Sequence, residues 1–377
     1  GGQSSGCSIV SFNNEAFESF GKQQGDNAPV SEKAAFAYTA ALNYLLRREN
    51  GHCISIGDTS TVFWAQAKDA RQEQEAVELV CLFVNPPSDE GQSKQVRLTL
   101  EKISRGKPFQ EIAPNIAGDT RFFVLGLAPN ASRLSIRYWL NNSLGELGEN
   151  LSWHWKDMQI EPLPWKLEHP PSIWQCLIET AVLHKSENIP PQLAGELLRS
   201  ILTGQRYPRA LLVQLVQRMR ADGDIKGLRV ALIKAVLQRD FRKGFLSEEI
   251  PMALKIENAP LAYRLGCLFA VLECIQHGAL GDVNASIVDR YYGTASSVPY
   301  SVFPRLIASS QNHLSKIRKD KAGFAVNLDK ALQALFSDLP VNFPKQLTVE
   351  QQGQFAIGYY HQKQSFFTKK DTAQDTE

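Results

Sequence analysis

Apolar positions follow two different rhythms along this chain, and the change from one to the other divides it. In the first 160 residues, short β-rich runs alternate with helical periods. Residues 7–12 read as a strand, 52–64 as two strand pieces around Gly57-Asp58, and 121–127 and 133–139 as two more, split by Ala128-Pro129-Asn130. The segment Asn27-Ala28-Pro29-Val30-Ser31-Glu32 signals a turn and helix start. The run 34–48 follows it, with Phe36, Ala40, Leu42, Tyr44 and Leu45 near helical period. Residues 73–84 suit a helix stopped by Asn85-Pro86-Pro87.

Pro162, Pro164, Pro170 and Pro171 then mark a linker over 161–171. Beyond it the period is helical. Residues 172–184 form one run. Pro190-Pro191 opens a second through Leu193, Leu197, Leu198 and Ile201 to Gly204, and Pro208 starts a third with the stripe Leu212, Leu215, Val216 and Met219. Further helices are predicted over 228–241, 261–277, 304–319 and 328–336, and the polar tail after Thr368 reads as disordered. The fold class predicted is α+β: a mixed α/β part over 1–160, the linker 161–171, a basic helical region over 172–250, and an all-α helical bundle over 251–377.

Charge narrows the function classes. The 377 residues carry 41 Lys+Arg against 39 Asp+Glu, a net charge of +2. Nucleic-acid binding through bulk charge is therefore excluded, and any such binding rests on local patches. With 43% hydrophobic and 21% charged residues the composition is that of an ordinary globular protein. No apolar stretch approaches the roughly 18 residues of a membrane span. The six cysteines (Cys7, Cys53, Cys81, Cys176, Cys267, Cys274) form no C-x-x-C pair, which fits reduced thiols and a cytoplasmic location. The opening Gly1-Gly2-Gln3-Ser4-Ser5-Gly6 is neither an initiator methionine nor a signal peptide, and reads as the interior of a longer polypeptide.

Catalytic signatures are missing. The seven histidines are scattered, none at i, i+4 with another, and no phosphate-loop, dinucleotide or nucleophile-elbow motif occurs. His52 and Cys53 are adjacent in a predicted strand and point to opposite faces. Cys267 and Cys274 share a helix face, which suits core packing. The expectation is a protein that is not an enzyme, with no metal and no cofactor.

Between Arg199 and Lys243 eleven basic residues face three acids, Asp222, Asp224 and Asp240. Lys316, Arg318, Lys319 and Lys321 form a second group. Both are broken by apolar residues at helical spacing. One reading is a solvated helix surface; the other is a surface that tracks phosphates without reading bases. The Gly1–Gly6 stretch is either a flexible loop or a backbone built for close approach to a ligand.

Several stretches together resemble the large subunit of the type I-C CRISPR Cascade surveillance complex. They are Gly2-Gln3-Ser4-Ser5-Gly6 with Ser11-Phe12-Asn13, Asn27–Glu32 running into Ala34-Ala35-Phe36-Ala37-Tyr38, Ile56-Gly57-Asp58 with Val62-Phe63-Trp64, and Phe122–Asn130. Further on are Leu193-Ala194-Gly195-Glu196-Leu197-Leu198, Tyr207-Pro208-Arg209-Ala210-Leu211, Ala262-Tyr263-Arg264-Leu265-Gly266, Phe269-Ala270-Val271-Leu272-Glu273 and Gly358-Tyr359-Tyr360-His361-Gln362. Members are longer at the N-terminus, so this chain is expected to lack part of the domain that touches the duplex.

The resemblance implies a non-catalytic subunit. Its expected partners are CRISPR RNA, target double-stranded DNA, the backbone and crRNA-processing Cascade subunits, small-subunit copies and a helicase-nuclease, with no membrane. Guide pairing would read the target, and the protein would read the flanking motif and hold opened DNA, a division the same as in another RNA-guided effector. On this basis Gln3, Ser4, Ser5 and Asn13 are candidates for contact beside the opened duplex. Arg206, Arg209, Lys226, Arg239, Arg242, Lys243, Lys316, Arg318 and Lys319 are candidates for the strand path. Met252, preceded by Glu248-Glu249, is a candidate internal translation start for a small subunit. The competing class is a helical scaffold that binds only protein.

Overall fold

The computed structural model describes residues 9–56, 59–87, 93–130, 133–281, 283–337, 339–340 and 342–367. They fall into two compact units. The first draws on 1–153, 167–178 and 185–205, and the second on 154–166, 179–184 and 206–377. The grouping does not follow a single cut at the prolines of 161–171. Prolines lack an N–H, yet their carbonyls still accept: Pro162 O takes a hydrogen bond from Tyr360 Oη at 2.7 Å. Trp165 packs edge-on against Trp155, centroids 6.3 Å apart. Residues 161–166 are thus packed into the second unit.

The first unit is mixed α/β. Helix α1 (Glu32–Leu46) starts where Ser31 Oγ accepts from Ala34 N. A four-stranded antiparallel sheet follows in sequential order: β1 (Cys53–Ile56), β2 (Thr59–Gln66), β3 (Arg121–Asn130) and β4 (Arg133–Ser143). Helices α2 (Ala70–Val84), α3 (Lys94–Ser104) and α4 (Phe109–Ile112) lie between β2 and β3. Helix α5 (Leu144–Met158) leaves β4 directly, and its last turn belongs to the second unit. Helices α6 (Ile173–Ile178) and α7 (Pro191–Thr203) complete the first.

Strand alternation gives the sheet two unlike faces. Phe63, Ala65, Phe122, Val124 and Tyr138 are buried on one. On that face Gly126 is required, because a Cβ there would sit 2.5 Å from the Tyr138 ring, which crosses over β3 to bond Thr61. The other face carries Trp64, Phe123 and Trp139.

The second unit is all-helical: α8 (Arg209–Asp222), α9 (Gly227–Arg242), α10 (Leu261–Leu280), α11 (Ile287–Ala295), α12 (Pro299–Asp320), α13 (Ala322–Phe336) and α14 (Val349–Ser365). Helix α14 is its axis. It is buried without a break from Gln352 to Gln362 and packs on α8, α9 and α10. A Cβ at Gly266 would lie 2.0 Å from Phe355 O, and one at Gly358 would lie 2.0 Å from Tyr263 O. Two backbones therefore touch where two glycines meet. Around that crossing Phe269, Tyr292, Phe303, Phe355 and Tyr359 interlock, with centroids 5.8–6.4 Å apart.

The α+β reading therefore stands, as a mixed α/β region with a small antiparallel sheet followed by a helical bundle. Details differ. Residues 9–12 form no strand. The single run expected over 172–184 is the short α6 followed by a turn with Leu183 at φ 57°. Helix α12 starts earlier, at Pro299, and carries Pro304 inside. Helix α1 forms, but its apolar stripe is not buried: Phe36 is 76% exposed. Among the described residues no helix is long and apolar enough to cross a membrane.

Candidate nucleic-acid interface

The candidate cations divide into structural and surface groups. Near the C-terminal end of α9, Arg206, Arg239 and Arg242 meet two carboxylates, Asp157 and Asp240. Arg239 is fully buried, and its Nε donates to Asp157 Oδ2 at 2.8 Å. Arg242 Nη2 reaches both Asp157 oxygens, at 3.1 and 2.8 Å. Lys234 Nζ donates to the Asp157 carbonyl at 3.3 Å, and burial pushes that ammonium down to about 8 against the pull of Asp157 and Glu249. Arg206 binds Asp240 with two bonds of 2.7 Å and lies 3.8 Å from the Phe245 centroid.

This geometry closes Arg239, one of the strand-path candidates, off from solvent. A guanidinium closed off from solvent, stacked at 3.9 Å on Tyr207 and paired with a buried carboxylate, has no face to offer a phosphate. Arg206 and Arg242 are half-open but held in bidentate or bridging pairs. Arg209 is exposed and pairs with Glu350 at 3.3 Å. Lys226 sits at the opposite end of α9, about 24 Å away at the helical rise, beside Asp224 at 3.2 Å. Lys243 is exposed, with no ion pair among the described residues.

On α12, Lys316 and Lys319 point to solvent while Leu314 and Ile317 are buried. Arg318 turns to Asp329 on α13 at 3.0 Å. Asn13 accepts from Arg133 at the start of β4, and Arg133 lies 5.6 Å from the Phe17 centroid. Gln3, Ser4 and Ser5 lie outside the described residues. Met252 is half-exposed in the non-helical stretch before α10, and its carbonyl accepts from Glu161 N at 2.8 Å.

A surface the sequence reading did not single out lies on the Trp64 face of the sheet, which is buried at Val62 and half-open at Trp139. Trp64, Phe123 and Trp139 pack mutually, with centroids 5.3, 5.6 and 5.8 Å apart. Trp139 is 50% exposed. Arg121 lies 5.2 Å from the Phe123 centroid and donates to Asn141 at 3.1 Å. The signal was available: period-2 alternation puts Arg121, Phe123 and Leu125 on one face of β3.

Among the described residues no group of His, Cys, Asp and Glu could hold a metal ion. Burial pushes the thiols of Cys81 and Cys274 up to about 11, away from thiolate character. His52 Nδ1 bonds Phe63 O at 3.0 Å rather than a thiol.

Taken together, the fold is a two-unit protein whose small antiparallel sheet precedes an all-helical bundle, with cations on helix surfaces. Residues 1–367 match the family model described as CRISPR-associated protein (Cas_Csd1). The chain belongs to that family of CRISPR-associated proteins. No curated protein matches it.

Proposed function

We propose that this chain is the large subunit of a type I-C CRISPR surveillance complex, and that it holds DNA without cutting it. The observation that carries the reading is the family match over nearly the whole chain, joined to a mixed N-terminal unit and a C-terminal bundle. In this role it contacts the target-flanking motif, steadies the opened duplex and helps recruit a helicase-nuclease. CRISPR RNA, backbone and crRNA-processing subunits and small-subunit copies are its partners. Asn13 accepts from Arg133 at the start of β4, which supports a DNA contact by Asn13 at that edge of the sheet. Lys243, Lys316 and Lys319 are the cations best exposed for phosphates.

The test is R-loop formation on linear DNA by the reconstituted complex. Gln3→Ala is expected to slow opening, and unchanged rates remove that assignment. DNA cleavage by the purified chain alone would overturn the non-catalytic reading.

Met252 suits an internal start because it immediately precedes the bundle α10–α14. Its product, residues 252–377, is about 14 kDa at this chain's mean residue mass. Met252→Ala is expected to abolish that product while the full-length chain is still made, and its persistence would refute the start.

The second reading, a scaffold that binds only protein, is favoured by one observation. Arg206, Arg209, Arg239 and Arg242 spend their charge on internal carboxylates. It requires that the complex retain no DNA even at low salt.

A further inference from the structure

We infer that the Trp64 face of the β-sheet is a stacking surface for unpaired DNA bases, centred on Trp139. The inference rests on the reading above and names a site for it. Three observations lead there.

The first is ring placement. Strand alternation sends Phe63, Phe122 and Val124 into the buried face, so Trp64, Phe123 and Trp139 are not needed to fill that core. They pack on each other instead, and Trp139 on edge strand β4 keeps half its surface in solvent. Ile136, on the same face, is 65% exposed. A ring cluster with one half-open indole accepts another planar ring at low conformational cost, because Trp139 is already immobilised by its neighbours.

The second is charge. Strands β1–β4 contain no aspartate or glutamate and three arginines, of which Arg121 stands at the rings and Arg137 lines the hollow with Thr59 and Tyr138 instead. Acids come from outside the strands: Glu73 lines the hollow beside Trp64, and Glu75 and Asp119 line the one beside Arg121. Arg121 stands over the aromatic cluster with Asn141 beside it, so a phosphate donor and a polar amide border the stacking rings. Arginine beside the rings, with no acid on the strands, suits a polyanion.

The third is openness. An apolar hollow of about 680 Å³ adjoins the cluster, sharing Trp64 with it and lined by Tyr38, Leu42, Leu125 and Ile136. An unstacked base has room beside the rings. A duplex keeps its bases paired and stacked, so it gains nothing from this face. A single strand gains ring contacts at every base it lays down, without sequence preference.

The experiment measures fluorescence anisotropy of a labelled oligo-dT 20-mer against the full-length chain and its Trp139→Ala and Trp139→Phe variants, at several salt concentrations. Trp139→Ala is expected to weaken binding about 5–100-fold, as for loss of one or two stacked bases. Trp139→Phe is expected to stay within about 3-fold of the parent, since a phenyl ring still stacks. An abasic 20-mer should bind the parent as weakly as the dT 20-mer binds Trp139→Ala, and duplex binding should not change.

Equal dT affinity for parent and Trp139→Ala, with both folded by circular dichroism, overturns the assignment. So does an oligo-U 20-mer that binds the parent more tightly than oligo-dT. If Trp139→Ala instead blocks assembly with the other subunits while leaving dT binding intact, the face is a protein contact and the inference fails. These failures leave the DNA-holding reading standing, provided the parent complex still opens duplex DNA. Loss of all DNA retention by the parent complex is what would remove that reading.

Discussion

Arg239 donates to Asp157 across 82 residues of sequence, Nε to Oδ2 at 2.8 Å, with side chains 0% and 1% exposed. The pair ties the end of α5 to α9. Arg242 shares the same carboxylate, Lys234 reaches the Asp157 main-chain carbonyl, and Arg239 stacks on the Tyr207 ring. Removing one partner strands the other in a poorly solvated site. Asp157→Asn and Arg239→Ala are each expected to destabilise by about 3–5 kcal/mol in urea unfolding. The double variant should lose less than the sum, because the second change removes the stranded charge. Additive losses would show that the pair is not coupled.

Surface cations behave in the opposite way. Lys316→Glu and Lys319→Glu are expected to leave the unfolding midpoint near that of the parent, since both side chains are exposed. In the assembled complex, each is expected to weaken DNA binding for all sequences and to lower the log–log salt slope by about 1. An unaltered slope removes them from the DNA path.

The glycine crossing makes a prediction about sign. Gly266→Ala or Gly358→Ala drives a Cβ into a carbonyl 2.0 Å away, which must push two helices apart. The expected loss is about 1–3 kcal/mol or more, despite alanine's better helix propensity. Gly323, in the first turn of α13, meets nothing within 4 Å. There alanine should be neutral or stabilise by up to about 1 kcal/mol. Thermal midpoints moving in the same direction at both places would contradict the packing.

Two histidines set an acid response. Burial pushes His154 down to about 3, aided by the charge of Arg239, and His361 down to about 4, aided by that of Lys234. In the unfolded chain both bind protons near 6.5. Between about 4 and 6.5 the unfolded state therefore carries more protons. Stability is full above 6.5 and falls as the pH drops, by up to about 1.4 kcal/mol per pH unit for each histidine. His361→Gln should flatten the decline measured by urea titration at pH 7, 6 and 5. Identical slopes in parent and variant would exclude His361 as a source.

Much of the architecture is legible in the order of residues, and particular residues explain the rest. Ser31 before an apolar run marks α1, and Gly204 marks the end of α7, because capping chemistry is local. Helix α14 escapes such reading. Gln352, Gln354, His361 and Gln362 look solvent-facing, yet each is buried against a partner: Leu347 O, Glu248, Tyr263 and Ser365. A helix buried all round has no polar face for periodicity to find. The cations mislead for a related reason. Asp157 lies far from Arg239 in sequence, so a local count of charge between residues 199 and 243 omits the carboxylate that neutralises it. The aromatic face was legible in the alternation of β3, but only pairing with β2 and β4 brings Trp64 and Trp139 to Phe123.

The axial position of α14 bears on how the bundle is born. Helix α10 ends at Leu280, and its glycine-matched partner begins only at Val349. At about 5–20 residues per second, the ribosome needs about 3–14 s to make the stretch between them. During that interval the faces of α8, α9 and α10 that α14 later covers are open to water, and chaperones have their best opportunity to engage. A message truncated before the codon for Val349 yields a chain that can never close its core.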